Sequence, residues 1–420
     1  MTTAALSSSR FYGWRVVAAA FVLAIFGWGM GFYGPPVFLS VLTSERGWSL
    51  ALVSSAITVH YLTGALVAGN LPALNRRLGI AGVTKVAALS LSIGVFAWSL
   101  AAEPWQLFMA ALLSGAGWSA MSAAAVNAIV SPWFVRARPT ALAMAYNGGS
   151  VGGIIFSPLW VLSIGALGFP LAAAVIGLVM VITMWTLAGL VFSRTPQQMG
   201  LAPDGDAPNV AAVPVVSASA TPLPGALLWR DLKFLTLAAA MSFGLIAQIG
   251  LASHLVSLLM PALGLRQAGL AMGLATALAI GGRTLTGWLM PAGSGRRLVG
   301  CTSYALQLAG SLVFVLAAGT SVPLLLLGVV LFGLGFGNAT SLSPLIAQVE
   351  FQPEDVARAV PLIVAISQAT YAFAPAAFGL IRELPVLGTT LGPGEAPALF
   401  LAAALVQGLA IAAMLVGWRR

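Results

Sequence analysis

One arginine stands inside an apolar stretch of the chain. Arg283 lies well within Leu270–Met290 and has apolar neighbours on both sides. A guanidinium at the centre of a membrane helix costs about 2.5–3.5 kcal/mol on insertion scales, so such residues face the interior of a helix bundle and meet a compensating group. The planar fork of arginine can hold a carboxylate through two parallel hydrogen bonds. The position therefore predicts an anion-binding site.

The acidic residues decide which anion this could be. The chain has ten of them, and all fall in predicted loops or at predicted helix ends. They are Glu45, Glu103, Asp204, Asp206, Asp231, Glu350, Glu354, Asp355, Glu383 and Glu395. Because none falls in the middle of a predicted span, we expect the anionic group of a bound solute to neutralise Arg283. The alternative is that backbone carbonyls and water satisfy its guanidinium.

Two histidines are the next candidates. His254 falls in the outer half of the seventh predicted span. Imidazole can donate a hydrogen bond to a carboxylate and titrates near neutral pH. His254 is therefore a candidate for substrate binding and for proton coupling; the alternative is a histidine packed between helices and bonded to a backbone carbonyl. His60, beside Tyr61 in the second predicted span, has a weaker case for function.

Other polar and aromatic side chains of the predicted spans could complete the site. Most such groups join membrane helices by hydrogen bonds, so each is a candidate only in combination with Arg283. The predicted substrate-binding set, besides Arg283 and His254, is Tyr33, Trp118, Tyr146, Asn147, Gln368 and Tyr371.

Small and helix-breaking residues predict where the chain could move. The fifth and eleventh predicted spans both open with an arginine and carry a proline toward the far end, a weak internal symmetry of the kind found in transporters. Glycines in the fifth span allow close helix contact. The predicted conformational or gating residues are Arg136, Arg138, Gly148, Gly149, Gly152, Gly153, Pro158 and Pro375. A dinucleotide-binding role of these glycines is excluded, since no strand precedes them and no ribose-binding acid follows.

Composition identifies the elements that must position these residues. The chain has 420 residues, of which 60% are apolar and 7% charged, too few charges to cover a soluble domain. With about 20 residues per membrane span and a connecting turn, there is room for about twelve helical spans. One cysteine and two histidines exclude a disulfide framework and a Cys- or His-rich metal centre. We expect no metal, no cofactor and, because the basic residues are spread over short loops, no nucleic-acid partner.

The apolar runs form two sets of six. They fall near residues 14–40, 50–72, 80–102, 105–130, 139–163 and 167–193, and near 232–261, 267–291, 298–319, 322–348, 357–381 and 396–418. The first run is too long for a cleavable signal, so we expect it to remain as a helix. A proline-rich polar stretch separates the sets. The predicted organisation is an all-α membrane protein with an N-terminal six-helix bundle (1–193), a linker (194–230) and a C-terminal six-helix bundle (231–420).

The basic residues predict the orientation. With both termini in the cytoplasm, the cytoplasmic segments hold fifteen Lys and Arg residues and the outer loops three, a strong positive-inside bias. We therefore expect a multi-pass protein of the plasma membrane, or of the inner membrane in a bacterium, with both termini and the linker cytoplasmic.

Two local motifs resemble those of a known family. Phe11-Tyr12-Gly13-Trp14-Arg15-Val16-Val17 is similar to an aromatic-Gly-Trp motif at the start of the first span, and Trp133-Phe134-Val135-Arg136-Ala137-Arg138, followed by Ala141-Leu142-Ala143, to a signature leading into the fifth. With two sets of six spans, the chain resembles the major facilitator superfamily and, within it, the monocarboxylate and oxalate/formate transporter branch. The resemblance implies that Arg283 is the substrate-binding arginine of the eighth span.

The chain also departs from that pattern. Arg76 stands where the loop between the second and third spans usually carries an acid, and Pro291 stands near the matching acid position after the eighth span. Ala279 occupies the position, one turn before Arg283, at which eukaryotic monocarboxylate carriers often hold an Asp. The lysine in the first span of those carriers has no match near Tyr33-Gly34. The arginine carries over, whereas the usual protonation partners do not.

These observations predict a secondary active transporter of small organic anions, with monocarboxylates as the first choice. Two six-helix bundles would expose a midplane site alternately to each side. The alternatives are an exporter of larger amphipathic compounds, a dicarboxylate exchanger, a membrane enzyme or a sensor. Coupling is open between exchange, proton symport through His254 and facilitation. We expect a monomer whose partners are the anion, possible co-transported protons and the lipid bilayer.

Overall fold

The computed structural model describes residues 11–135, 137–205, 225–289, 295–336, 338–382, 384 and 394–418. Within these residues the regular elements are helices, and none is a strand. The predicted gating residue Arg136 and residues 206–224 of the predicted linker lie outside the described residues.

The N-terminal half contains seven α-helices in its described part. They are α1 (Tyr12–Gly31), α2 (Gly34–Arg46), α3 (Leu50–Leu100), α4 (Pro104–Ser119), α5 (Ala123–Val130), α6 (Arg138–Leu167) and α7 (Phe169–Leu187). Helix α3 holds the second and third predicted spans, and its helical geometry is interrupted at Gly79, where φ is 70° and ψ is 162°. Glycine adopts this conformation without the steric cost that a Cβ would add.

The C-terminal half is equally helical. Its elements are α8 (Gly225–Leu228), α9 (Leu232–Leu263), α10 (Leu265–Leu289), α11 (Arg296–Ala317), α12 (Val322–Gly335), α13 (Asn338–Glu350), α14 (Pro353–Tyr371), α15 (Ala374–Arg382) and α16 (Pro397–Trp418). Helix α9 packs against α10, α14, α15 and α16. Its central position explains why most of its side chains are buried.

Four predicted spans consist of two helices each. The first is interrupted at Phe32–Tyr33, the fourth at Ala120–Ser122, the tenth after Gly335 and the eleventh at Ala372–Phe373. Prolines lie in the first turn of the helix that follows the first and the eleventh interruption, where a missing backbone N–H is tolerated. Interrupted helices occur at membrane depth only where protein or a water-filled cavity satisfies the backbone groups that are set free.

Ten helical segments of the described chain are long and apolar enough to cross a membrane. The shorter apolar helix α12 lies in the tenth predicted span. Helix α10, which carries Arg266, Gln267 and Arg283, occupies the eighth predicted span without being one of the ten. The described helices therefore follow the predicted order of twelve spans.

Contacts divide the chain into two compact units. The first comprises Met1–Gly34, Thr63–Phe156 and Ser163–Ser217, and the second comprises Pro35–Leu62, Ser157–Leu162 and Ala218–Arg420. The second unit thus includes part of the N-terminal half, from α2 to the first turns of α3. The predicted division into bundles ending at residue 193 and beginning at residue 231 follows the order of the helices along the sequence, and it stays a prediction.

Candidate functional site

Arg283 lies in the second half of α10, and its side chain is half-buried. A Cβ added to the preceding Gly282 would overlap the backbone carbonyl of Leu334 in α12, so the two helices touch backbone to backbone beside the arginine. One turn earlier, Ala279 is fully buried. This position one turn before Arg283 is therefore an apolar packing position. A close helix contact positions Arg283 while its side chain keeps partial access.

The described carboxylates lie at helix ends or in turns. Glu103 caps α4, and Asp231 caps α9 by accepting hydrogen bonds from the backbone N–H groups of Lys233 and Phe234 at 2.7 and 3.1 Å. Glu350 is the last residue of α13. Glu103 and Asp231 thus stabilise helix N-termini, as carboxylates at these positions are expected to do.

His254 is fully buried in the second half of α9. Its Nε2 lies 3.0 Å from the backbone carbonyl oxygen of Pro375. Because a carbonyl oxygen can only accept, Nε2 carries a proton and donates this hydrogen bond. Within the described residues Nδ1 has no hydrogen-bond partner. The histidine therefore occupies a helix contact at the start of α15.

The interruption of the eleventh span is held from two sides. Pro375 is the second residue of α15, and its carbonyl accepts the hydrogen bond of His254. The next backbone N–H, that of Ala376, donates to Thr58 Oγ1 of α3 at 3.2 Å. Two side chains from two other helices thus satisfy backbone groups near the beginning of α15.

A close approach lies one turn further along α15. A Cβ placed on Gly379 would lie 2.7 Å from Ser54 Oγ, 2.9 Å from Ser54 Cβ and 3.5 Å from His254 Cε1. We call Ser54, Thr58, His254, Pro375, Ala376 and Gly379 the helix-break junction. All six belong to the second compact unit.

Tyr371 ends α14 directly before the same interruption. Its ring meets that of Tyr61 edge to face, with centroids 6.1 Å apart. Tyr61 is buried, whereas Tyr371 and Gln368, one turn before it, are half-buried. Two of the predicted binding residues therefore stand beside the helix-break junction.

In the first unit, Trp118 lies next to the interruption of the fourth span. Its indole is buried and packs where Gly31 of α1 and Gly64 of α3 leave room for it. A Cβ on Gly64 would lie 3.0 Å from the ring, and one on Gly31 would overlap it. Tyr33 is buried at the interruption of the first span. Its ring meets that of Phe32 edge to face, with centroids 4.9 Å apart.

Tyr146 and Asn147 are neighbours in α6 with different surroundings. The hydroxyl of Tyr146 donates to the backbone carbonyl of Ala123, the first residue of α5, at 3.2 Å. Asn147 is exposed. Tyr146 and Trp118 thus flank the same interruption from two helices.

The predicted gating glycines lie where α6 crosses α1. A Cβ on Gly152 would lie 2.5 Å from the carbonyl oxygen of Ile25, and one on Gly148 would overlap the carbonyl of Phe21. Gly149 faces the Trp28 ring, and Gly153 is buried. These glycines serve close helix packing, and α6 continues as one helix past Pro158. Arg138 is the first residue of α6.

The carboxylate of Asp204 has a structural role that the sequence does not indicate. Asp204 accepts hydrogen bonds from the backbone N–H groups of Val135 at 3.0 Å and Ala137 at 3.2 Å. We call this arrangement the loop clasp. Asp204 has φ of 60°, a left-handed conformation that Asp tolerates better than most residues.

The two sequence motifs meet beside the loop clasp. The ring of Phe11 packs edge to face on that of Phe134, with centroids 5.6 Å apart. The ring of Tyr12 packs against that of Trp133, with centroids 5.3 Å apart. Arg194 lies 5.6 Å from the centre of the Tyr12 ring. The start of α1, the loop before α6 and the segment after α7 are thereby joined.

Arg297 is a further site that sequence reasoning missed, because it is one of the fifteen basic residues of the predicted cytoplasmic segments. Its side chain is fully buried and forms an ion pair with Glu350. It also donates to Thr236 Oγ1 at 2.9 Å and to the carbonyl of Lys233 at 3.0 Å. No local pattern indicates this pairing, since Glu350 lies 53 residues away.

Comparison with known protein families identifies the family of this chain. A sequence model of the Major Facilitator Superfamily matches residues 17–375. No curated protein sequence matches the chain. Solved structures do: an inward-facing, occupied bacterial homologue of the human lysosomal transporter Spinster has a TM-score of 0.69 at 14% identity, covering 97% of each chain. The nucleoside transporter NupG has a TM-score of 0.70 at 13% identity, covering 96% of this chain and 99% of its own.

Identities this low show the fold alone, and the family match extends over most of the chain. The all-helical fold described above is consistent with both comparisons. The chain belongs to the Major Facilitator Superfamily and has the fold of its transporters.

Proposed function

We propose that this protein is a secondary active transporter of small organic anions, with monocarboxylates as its first substrate class and Arg283 as the carboxylate-binding residue. The supporting observation is a contrast between two arginines. Arg297 is fully buried and holds Glu350, so it serves the structure. Arg283 is half-buried in the interior of a helix. A cation inside a membrane span is costly and is therefore a candidate for a functional site.

In this proposal the planar guanidinium of Arg283 binds the carboxylate through two parallel hydrogen bonds. Lysine at this position would supply a point charge without the fork. The half-buried Tyr371 and Gln368 are the proposed second contacts of the solute. Alternating access then comes from rocking of the two halves, with the termini on the cytoplasmic side of a plasma membrane.

The proposed coupling is exchange. An empty carrier has to reorient with the cationic Arg283 side chain inside a membrane-embedded helix bundle, where moving a charge is costly. A loaded carrier carries a neutral pair and reorients faster. His254 already donates to the Pro375 carbonyl, which favours exchange over symport through this histidine.

Uptake into proteoliposomes tests the proposal. Purified protein is reconstituted with or without internal substrate and offered labelled monocarboxylates, dicarboxylates, an amphipathic organic anion and a nucleoside. We expect monocarboxylate counterflow to be faster than net uptake. Uptake of the nucleoside without any carboxylate would contradict the substrate class, and chemical conversion of a solute would contradict transport itself.

A further inference from the structure

The tenth predicted span is interrupted between α12 and α13, beside the helix that carries Arg283. Helix α12 ends at Gly335, and the next residue, Phe336, has an extended backbone with φ of −64° and ψ of 133°. The last carbonyl groups of a helix have no partner within it, and lipid offers none, so an interruption at this depth needs polar side chains or water. The interruption and its neighbours α10 and α11 belong to the second compact unit.

The last turn of α12 is packed between α10 and α11. On one side, the carbonyl of Leu334 meets Gly282, the residue before Arg283. On the other side, a Cβ on Gly335 would lie 2.6 Å from the carbonyl oxygen of Ser303 in α11. Backbone meets backbone on both sides, so a displacement of this turn would move the surface that packs next to Arg283.

Side chains hold the interruption to α11 by hydrogen bonds. Nε2 of Gln307 donates to the carbonyl of Gly335 at 2.9 Å. Nδ2 of Asn338, the first residue of α13, donates to Ser303 Oγ at 2.9 Å and to the carbonyl of Leu334 at 3.4 Å. Because a carbonyl oxygen can only accept, both amides direct their nitrogen toward the end of α12. Ser303 and Gln307 are one turn apart on α11, so one helix face holds both sides of the interruption.

The same face of α11 also holds a second helix. Ser311, one turn beyond Gln307, donates to Oε1 of Gln407 in α16 at 3.0 Å. We call Ser303, Gln307 and Ser311 the polar ladder. None of its members is more than 4% exposed, and its partners Asn338 and Gln407 are equally buried. Helix α16 packs mainly against α9 and α11, so only the first two members of the ladder hold the turn that touches α10.

We infer that Gln307 is a positioning residue of the anion site, whose hydrogen bond to Gly335 fixes the last turn of α12 against α10 and thereby sets the surroundings in which Arg283 binds a carboxylate. The inference rests on the proposed transport function. Gln307 acts through the backbone of α12 and not by touching the solute, since its fully buried side chain already donates to Gly335.

The end of α12 affects the anion site through its charge as well as its shape. The carbonyls at the C-terminus of a helix amount to about half a negative charge, which is felt within the last turn. The position of this negative end relative to α10 therefore affects how strongly the guanidinium of Arg283 attracts an anion. Binding groups have to be held within about 0.5 Å of their productive geometry by supporting hydrogen bonds, and Gln307 provides such a bond.

Two matched substitutions test the inference. Gln307→Met and Gln407→Met each replace a fully buried glutamine by an apolar side chain of similar length, and each removes one hydrogen bond involving α11. Both should lower the thermal unfolding midpoint to a similar extent. Only Gln307→Met should raise the monocarboxylate concentration that half-saturates exchange, by about tenfold, as is usual for coupling between separate positions. The maximal rate of exchange should change less than this concentration.

The same assay separates the inference from the proposed function. An equal change of the half-saturating concentration in both variants, or no change in either, would overturn the inference, because the ladder would then serve packing alone. The proposed function would still stand if the parent exchanges monocarboxylates and Arg283→Gln does not.

A milder pair of variants carries the test if Gln307→Met does not fold. Ser303→Ala removes the oxygen that accepts from Asn338, and Ser311→Ala removes the bond to Gln407. We expect Ser303→Ala to raise the half-saturating concentration and Ser311→Ala to leave it unchanged. An unchanged value in Ser303→Ala would contradict the inference.

Hydrogen exchange gives a readout that needs no substrate. Loss of the Gln307 bond should loosen the interruption, so peptides that cover Gly335 and Asn338 should exchange faster in Gln307→Met than in the parent or in Gln407→Met. Equal exchange in the three proteins would overturn the inference, even if no tested solute were transported and the proposed function had failed.

Discussion

Glu350 holds the buried guanidinium of Arg297 with two parallel hydrogen bonds, of 2.6 Å from Nε to Oε1 and 2.7 Å from Nη2 to Oε2. The arginine also donates to α9. One buried side chain therefore joins α9, α11 and α13 within the second unit.

Breaking this pair should destabilise the protein more than removing it. Glu350→Gln leaves a buried charge without its partner, and such changes cost about 3–5 kcal/mol. The double variant Arg297→Met/Glu350→Leu should be less destabilised than either single variant. Thermal unfolding in detergent measures the effect, with the exposed Glu45→Gln as control. A Glu350→Gln protein as stable as the parent would show that the pair contributes little.

Arg283 should be required for carboxylate binding but not for folding. Arg283→Lys keeps the charge and loses the fork, and Arg283→Gln loses both. We expect both proteins to insert and fold, and the stabilisation of the protein by added carboxylate to disappear in a thermal-shift assay. Arg266→Gln is the matched control, since Arg266 is exposed at the start of the same helix. Unchanged binding by Arg283→Gln would disprove the anion site.

The loop clasp should protect two amides from exchange with solvent. Asp204→Asn and Asp204→Gly both tolerate the left-handed backbone of this position, but glycine has no side-chain acceptor. We expect hydrogen exchange at Val135 and Ala137 to increase strongly in Asp204→Gly and only modestly in Asp204→Asn. Equal exchange in all three proteins would mean that the clasp does not persist in solution.

The crossing of α1 and α6 should not tolerate a methyl group. Gly148→Ala places a Cβ on the Phe21 carbonyl, and overpacking of this kind costs about 1–3 kcal/mol. Gly165→Ala, in the same helix with open space around it, should be neutral or stabilising by up to about 1 kcal/mol. Thermal unfolding of the two variants provides the comparison; similar midpoints would contradict the crossing.

The lengths of the apolar runs in the sequence predict the helices of this chain well. The predicted run 232–261 is α9, Leu232–Leu263, and the predicted run 396–418 is α16, Pro397–Trp418. Such agreement is expected because every backbone group in a bilayer needs an internal partner, so apolar runs of sufficient length become helices.

The interruptions were harder to predict. Pro35, Pro36 and Pro375 are local signals for two of them, but Ala120–Ser122 contains no proline and no glycine. There the Met121 carbonyl lies where Gly27 of α1 leaves space, so the cause is tertiary contact. For the same reason the sequence could place His254 in a span but could not distinguish a ligand from a residue that holds Pro375.

The long separation within the helix-break junction has a consequence for biosynthesis. Asp204 meets Val135 after only 69 residues, so the loop clasp can form before the ribosome has produced α9. Thr58 has to wait for Ala376, 318 residues later. Until α15 has been inserted, the hydroxyls at the beginning of α3 lack their final neighbours, and they remain exposed to lipid or to the insertion machinery. Nascent chains that stop short of Ala374 should therefore be recognised by membrane quality control as unfinished.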